Sequence, residues 1–156
     1  MSQYPIHIVD DEEDIRESLS LLLTSVGYNV TLHPDGFSLL EQCQAEDLAT
    51  ILLDVRMPQL SGLSVQDKLI EAKHIQPIIF MSGHGDISMA VEAVKKGAMD
   101  FFEKPFRDVQ LFDAIEKSFL RLSEESAINL EIKAITEVVS TLTERELEVM
   151  QEVANG

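Results

Sequence analysis

The chain has 156 residues, with 12 Lys and Arg against 28 Asp and Glu, a formal net charge of −16 and an isoelectric point near 4.4. Its 45% apolar content excludes a disordered acidic chain, and the negative balance excludes direct nucleic-acid binding by these residues, because neutralising phosphates takes a Lys- and Arg-rich face. The single cysteine, Cys43, excludes an internal disulfide and a Cys-clustered metal site and reads as a small buried hydrophobe, while no run approaches the ~18 apolar residues of a membrane span, so the expected location is the cytoplasm.

Short apolar runs alternate with amphipathic stretches as far as Leu122. Ile6–Val9 reads as a strand, followed by a helix over Asp14–Val26 in which Ile15, Leu19, Leu22, Leu23 and Val26 recur at helical spacing and which Gly27 ends. Tyr28–Leu32 is predicted as a second strand and Phe37–Cys43 as a second helix. Thr50–Asp54 is an almost wholly apolar strand ending in an acid, and Ser61 opens a helix towards Lys73. Ile78–Met81 is the fourth strand, Ile87–Lys96 a helix stopped by Gly97, Met99–Phe102 the fifth strand, and Val109–Leu122 the fifth helix. Five βα units with apolar strands imply a parallel sheet covered by helices on both faces, with the chemistry beyond the carboxyl ends of the strands.

Past Pro105 neither Gly nor Pro recurs before Gly156. Within that stretch Ile128, Ile132, Ile135, Val139 and Leu142 follow the a/d spacing of a coiled-coil seam, which suits either a dimer contact or a stripe packed on its own domain. Thr143 with Glu146 forms a capping box that announces a fresh helix through Leu147, Val149, Met150 and Val153.

The residues just past the predicted strands are Asp10 and Asp11, then Asp54, Ser82 and Lys104. A parallel sheet brings these ends to one edge, so three carboxylates, a hydroxyl and an ammonium converge. Carboxylates that close repel, and at least one pKa rises unless a cation compensates. An oxygen-rich cluster of this kind suits Mg²⁺, beside which an Asp carboxylate can attack phosphorus and form an acyl phosphate, with a lysine and a hydroxyl holding the phosphoryl oxygens. Taken alone, the acidic run Asp10–Asp14 is equally a solvated face or the first turn of a helix, and Ser82 and Lys104 singly are uninformative.

Ile8-Val9-Asp10-Asp11-Glu12, Leu52-Leu53-Asp54-Val55-Arg56-Met57-Pro58, Ser61-Gly62, Met81-Ser82-Gly83-His84-Gly85 and Phe101-Phe102-Glu103-Lys104-Pro105-Phe106 resemble, in order and spacing, the receiver domain of a two-component response regulator. The resemblance covers residues 1–122 and implies a flavodoxin-like (βα)5 doubly wound sheet of order 2-1-3-4-5. It implies that Asp54 accepts a phosphoryl group from a sensor histidine kinase. Asp10, Asp11 and Asp54 would hold Mg²⁺ with the backbone carbonyl of Arg56, Asp11 being the more direct ligand. Ser82 and Lys104 would bind the phosphoryl oxygens, with a cis peptide before Pro105. Ser82 and Phe101 would act as the switch, repacking the face of the fourth helix, fifth strand and fifth helix to control dimerisation. Arg56 and His84 would tune the lifetime of the acyl phosphate.

Leu142-Thr143-Glu144-Arg145-Glu146-Leu147-Glu148-Val149-Met150 resembles the first helix of the LuxR-type helix-turn-helix that ends FixJ/NarL-type transcription factors. The expected organisation is therefore a receiver over residues 1–122, a helical linker over 123–141, and over 142–156 the start of an output domain truncated before its recognition helix. Promoter DNA would be contacted only through that missing part, and residues 123–156, with two basic and eight acidic side chains, agree. Two rival readings are a stand-alone phosphorelay module, against which the Thr143 capping box argues, and a haloacid-dehalogenase-like phosphatase. The latter needs a second Asp two residues after the nucleophile as general acid/base, where this chain has Arg56, a residue that cannot act as a base at neutral pH.

Overall fold

A computed structural model describes residues 4–83 and 86–155, with side chains as far as residue 138. Five strands, β1 (Ile6–Val9), β2 (Val30–His33), β3 (Thr50–Asp54), β4 (Ile78–Ser82) and β5 (Asp100–Glu103), alternate with five helices, α1 (Glu13–Ser25), α2 (Gly36–Gln42), α3 (Gly62–Glu71), α4 (Ile87–Lys95) and α5 (Asp108–Asn155). Every strand pair is parallel and the order is β2-β1-β3-β4-β5, the flavodoxin-like arrangement expected.

The alternation of side chains along each strand divides the core in two. Val9, Ile51, Leu53 and Phe80 pack on one face with Leu39, Val65 and Leu69 of α2 and α3. Ile6, Ile8, Leu52, Ile79 and Met81 pack on the other with Leu19 and Leu23 of α1 and Leu111, Ile115 and Phe119 of α5. Both faces of β3 and β4 are thus covered, which is why these strands read as continuous apolar runs. Each such side chain contributes about 1.5–3 kcal/mol by leaving water.

The boundaries differ from expectation in instructive places. β2 begins at Val30 because the Tyr28 backbone N–H donates to the Leu23 carbonyl at 3.1 Å, completing the turn after α1 in which Gly27 adopts φ 96°. β5 lies one residue later than predicted. The Met1–Leu122 and Ser123–Gly156 segments are separate compact units, yet α5 is one helix without a break at residue 123 or at Thr143. No Gly or Pro stands in the helix before the capping-box sequence to oblige it to stop there. In the second unit Ile128, Ile132 and Ile135 are 52%, 56% and 57% exposed, while the side chains of Val139, Leu142, Thr143 and Glu146 lie outside the described residues.

Candidate functional site

Strand register assembles the site. β1 pairs with β3 so that Val9 stands beside Leu53, which puts Asp10 and Asp54, the next residue of each chain segment, at the same edge. Asp54 in turn pairs with Met81, and Ser82 with Glu103, so Ser82 and Lys104 follow at that edge. The Lys104 N–H donates to the Ser82 carbonyl at 2.6 Å, and the Lys104–Pro105 peptide is cis, in agreement with the resemblance. Behind β3, the start of α3 is pulled close. The Gly62 N–H donates to the Val55 carbonyl at 2.8 Å, and a Cβ at Gly62 would stand 2.3 Å from the Asp54 carbonyl oxygen, so only glycine fits. Ser61 caps α3 by accepting from the Ser64 N–H.

Asp10, Asp11 and Asp54 each offer a carboxylate oxygen, all within 4.8 Å of one another. Asp10 is fully buried and Asp54 nearly so, while Asp11 is exposed. The Asp10 carboxylate is committed twice, Oδ1 accepting from the Glu12 N–H at 3.0 Å and Oδ2 from Lys104 Nζ at 2.8 Å. Lys104 Nζ also reaches Asp54 Oδ1 at 3.4 Å. One ammonium therefore faces two buried carboxylates. Burial, then the Asp10 charge, pushes the Asp54 carboxyl up to about 7 against the opposing pull of Lys104. Burial works against the Lys104 ammonium too, but its hydrogen bonds and charges with Asp10 and Asp54 prevail and hold its pKa above the ordinary lysine value. This is a site short of positive charge, and its donors are all hard oxygens, the set that suits Mg²⁺. The residues present fit such an ion.

The other expected residues are arranged differently. Ser82 is buried and donates its hydroxyl to Asp86 Oδ2. The Arg56 side chain pairs with the same carboxylate, Nε to Oδ2 at 3.2 Å and Nη2 to Oδ1 at 2.5 Å. Phe101 is partly buried, its ring 6.0 Å from that of Phe80. His84 lies outside the described residues. Asp86 is the residue sequence reasoning missed. It stands at the start of α4, where an acid reads as an ordinary helix cap, and only the fold brings it to Arg56, thirty residues earlier. Beside Lys104 a groove of about 510 Å³ runs between α1 and the segment before α5, lined by Ile15, Leu19, Leu22, Pro105 and Phe106.

Cys43 is 2% exposed, and burial pushes its thiol up to about 11, so it is the inert hydrophobe expected. Among the described residues no helix is long and apolar enough to cross a membrane.

A family model described as the response regulator receiver domain matches residues 6–116. The transcriptional regulatory protein FixJ of Rhizobium meliloti (strain 1021) is 39% identical over 156 residues, covering all of this chain and 76% of FixJ. The response regulator protein TmoT of Ectopseudomonas mendocina is 42% identical over 152 residues, covering 97% of this chain and 69% of TmoT. A solved structure of the response regulator StyR superimposes with a TM-score of 0.86 at 35% identity, covering 99% of this chain and 78% of StyR.

Proposed function

The chain belongs to the response regulator receiver domain family and serves a two-component phosphorelay; from that premise we propose that Asp54 is its phosphoacceptor. The observation that carries this reading is the single ammonium of Lys104 set against the buried pair Asp10 and Asp54. In the transfer, an Asp54 carboxylate oxygen attacks the phosphorus of a donor phosphohistidine, a P–O bond forms as the P–N bond breaks, and the freed imidazole keeps the electron pair. Lys104, and Ser82 once it has turned inward, would take the phosphoryl oxygens. Asp10, Asp11, Asp54 and the Arg56 carbonyl would hold Mg²⁺, which supplies the positive charge the cluster lacks. Asp11 is the better direct ligand, since both Asp10 oxygens are already engaged. The receiver is then a phosphoryl acceptor that catalyses its own modification and its slow hydrolysis, not a classical enzyme; Arg56 and His84 would set that lifetime.

Partners follow the same reading. A sensor histidine kinase would reach Asp54 from the open edge beside the groove at Lys104. Phe101 and Ser82 would repack the α4-β5-α5 face for pairing with a second copy, and the exposed Ile128, Ile132 and Ile135 support a seam along the linker. Residues 1–122 would form the receiver and 123–141 the linker, and 142–156 resemble the opening helix of a LuxR-type output domain, the element of such regulators that contacts promoter DNA; the net charge of −16 leaves no such contact to these 156 residues. The cytoplasm is the compartment such a phosphorelay requires.

Incubation with Mg²⁺ and acetyl phosphate should add one phosphoryl mass to the intact protein, and none to Asp54→Asn or in the presence of a chelator. No gain in the parent under any donor, kinase included, would overturn the assignment of Asp54. An unchanged mass by light scattering with a phosphoryl mimic bound would count against phosphorylation-dependent pairing.

A further inference from the structure

Asp86 stands outside the acidic cluster and outside every role assigned above, yet it holds two of the residues those roles need. Its side chain is 4% exposed, and it receives the Ser82 hydroxyl on Oδ2 and the Arg56 guanidinium across both oxygens. Ser82 is itself 1% exposed and leaves the strand directly beside the Asp54 position, whose β3–β4 partner is the preceding residue, Met81. Arg56 is only two residues past Asp54, and its side chain is 68% exposed.

A serine hydroxyl has one proton to donate, whereas a carboxylate and a phosphoryl group only accept. Asp86 and a phosphoryl group on Asp54 therefore compete for the same proton. Engagement of Ser82 with the phosphoryl oxygens breaks its bond to Asp86, and the buried carboxylate keeps the Arg56 charge as its compensation. We infer that Asp86 is a positioning residue that ties Ser82 back from the phosphoryl site in the resting state, with Arg56 as its counter-ion. The inference rests on the reading of Asp54 and Ser82 given above. It assigns Arg56 a place in the resting state, where it fixes the carboxylate that restrains Ser82. It also links the phosphoryl site to α4, because the group released when Ser82 turns inward is the residue immediately before that helix.

The test is a calorimetric titration of the full chain with beryllium fluoride at fixed Mg²⁺, a phosphoryl mimic that occupies the Asp54 position. A hydrogen bond to a charged group is strong enough that removing the competitor should tighten binding by about tenfold in Asp86→Ala. Asp86→Asn, which preserves shape and can donate to the Ser82 oxygen while leaving the hydroxyl proton free, should shift affinity in the same direction and keeps the test decisive if the alanine variant folds poorly. The gain should vanish when either change is combined with Ser82→Ala, a dependence that a merely structural role for Asp86 would not show. Unchanged or weaker binding in the Asp86 variants, or a gain of equal size without the Ser82 hydroxyl, would overturn the inference while the parent still binds. A parent that takes up no beryllium fluoride at all would overturn the reading of Asp54 and the inference with it.

Discussion

Two buried polar clusters lie along β1, and they are satisfied very differently. Near the start of the strand His7 Nδ1 meets His33 Nε2 at 2.8 Å, and His33 Nδ1 meets the Ser38 hydroxyl at 2.8 Å, so these neutral groups satisfy one another. Just past the strand, Asp10 and Asp54 share one Lys104. Both clusters cost desolvation, but in the second two buried carboxylates share the one Lys104 ammonium, with the Arg16 guanidinium engaged on the Asp10 backbone carbonyl instead. The histidines are held neutral: burial, then each other's proximity, brings His33 down to about 4, and burial lowers His7 as well. The Asp54 carboxyl is instead pushed up to about 7 by burial and the Asp10 charge. A neutral hydrogen-bond chain serves the fold; a charged cluster short of a cation is available for chemistry.

The two clusters therefore pull stability in opposite directions with pH. Asp54, with its folded pKa above its unfolded value of 3.8, contributes stability below about pH 4 that is lost as pH rises towards 7. Asp54→Asn removes that penalty and should raise stability by about 3 kcal/mol at pH 8 in the presence of a chelator, with the difference shrinking below pH 5. Chemical denaturation across that range reads it directly, and equal stability of the two proteins at pH 8 would break the contrast. The histidines act at the other end. Unfolded histidine takes up a proton near 6.5 while buried His33 does not, so stability should fall by about 2 kcal/mol between pH 6.5 and 5, a loss that His33→Gln should largely abolish. An acid limb identical in parent and variant would show that His33 is not the titrating group. The smallest effect is kinetic. At low Mg²⁺ the rate of phosphoryl uptake from acetyl phosphate should rise about tenfold from pH 6 to 8 as Asp54 ionises, and saturating Mg²⁺ should flatten that profile.

The charged cluster was legible in the sequence and the neutral one was not, for a physical reason. Strand ends are set by local signals: the apolar run Thr50–Leu53 stops at Asp54, and Met57-Pro58 prevents its continuation, so once the sheet is parallel the convergence of Asp10, Asp54, Ser82 and Lys104 follows from register alone. His7 and His33 meet instead through side chains of adjacent strands, and β2 was displaced by the turn at Gly27, which put His33 beyond the predicted strand. Asp86 escaped likewise, because its partners come from separate elements, Ser82 from the end of β4 and Arg56 from the loop after β3. The fifth helix shows the complementary failure: a capping box at Thr143 is a strong local signal, but nothing before it obliges the helix to stop.

Phosphoryl transfer should select Asp54, the buried carboxylate left short of positive charge. Borohydride reduction after treatment with Mg²⁺ and acetyl phosphate converts an aspartyl phosphate to homoserine, which peptide mapping locates. Homoserine at position 54, with aspartate intact at 10, 11 and 86 and no phosphoryl group on His7 or His33, is the predicted result. Homoserine at any other aspartate, or a stable adduct on the histidine pair, would contradict it.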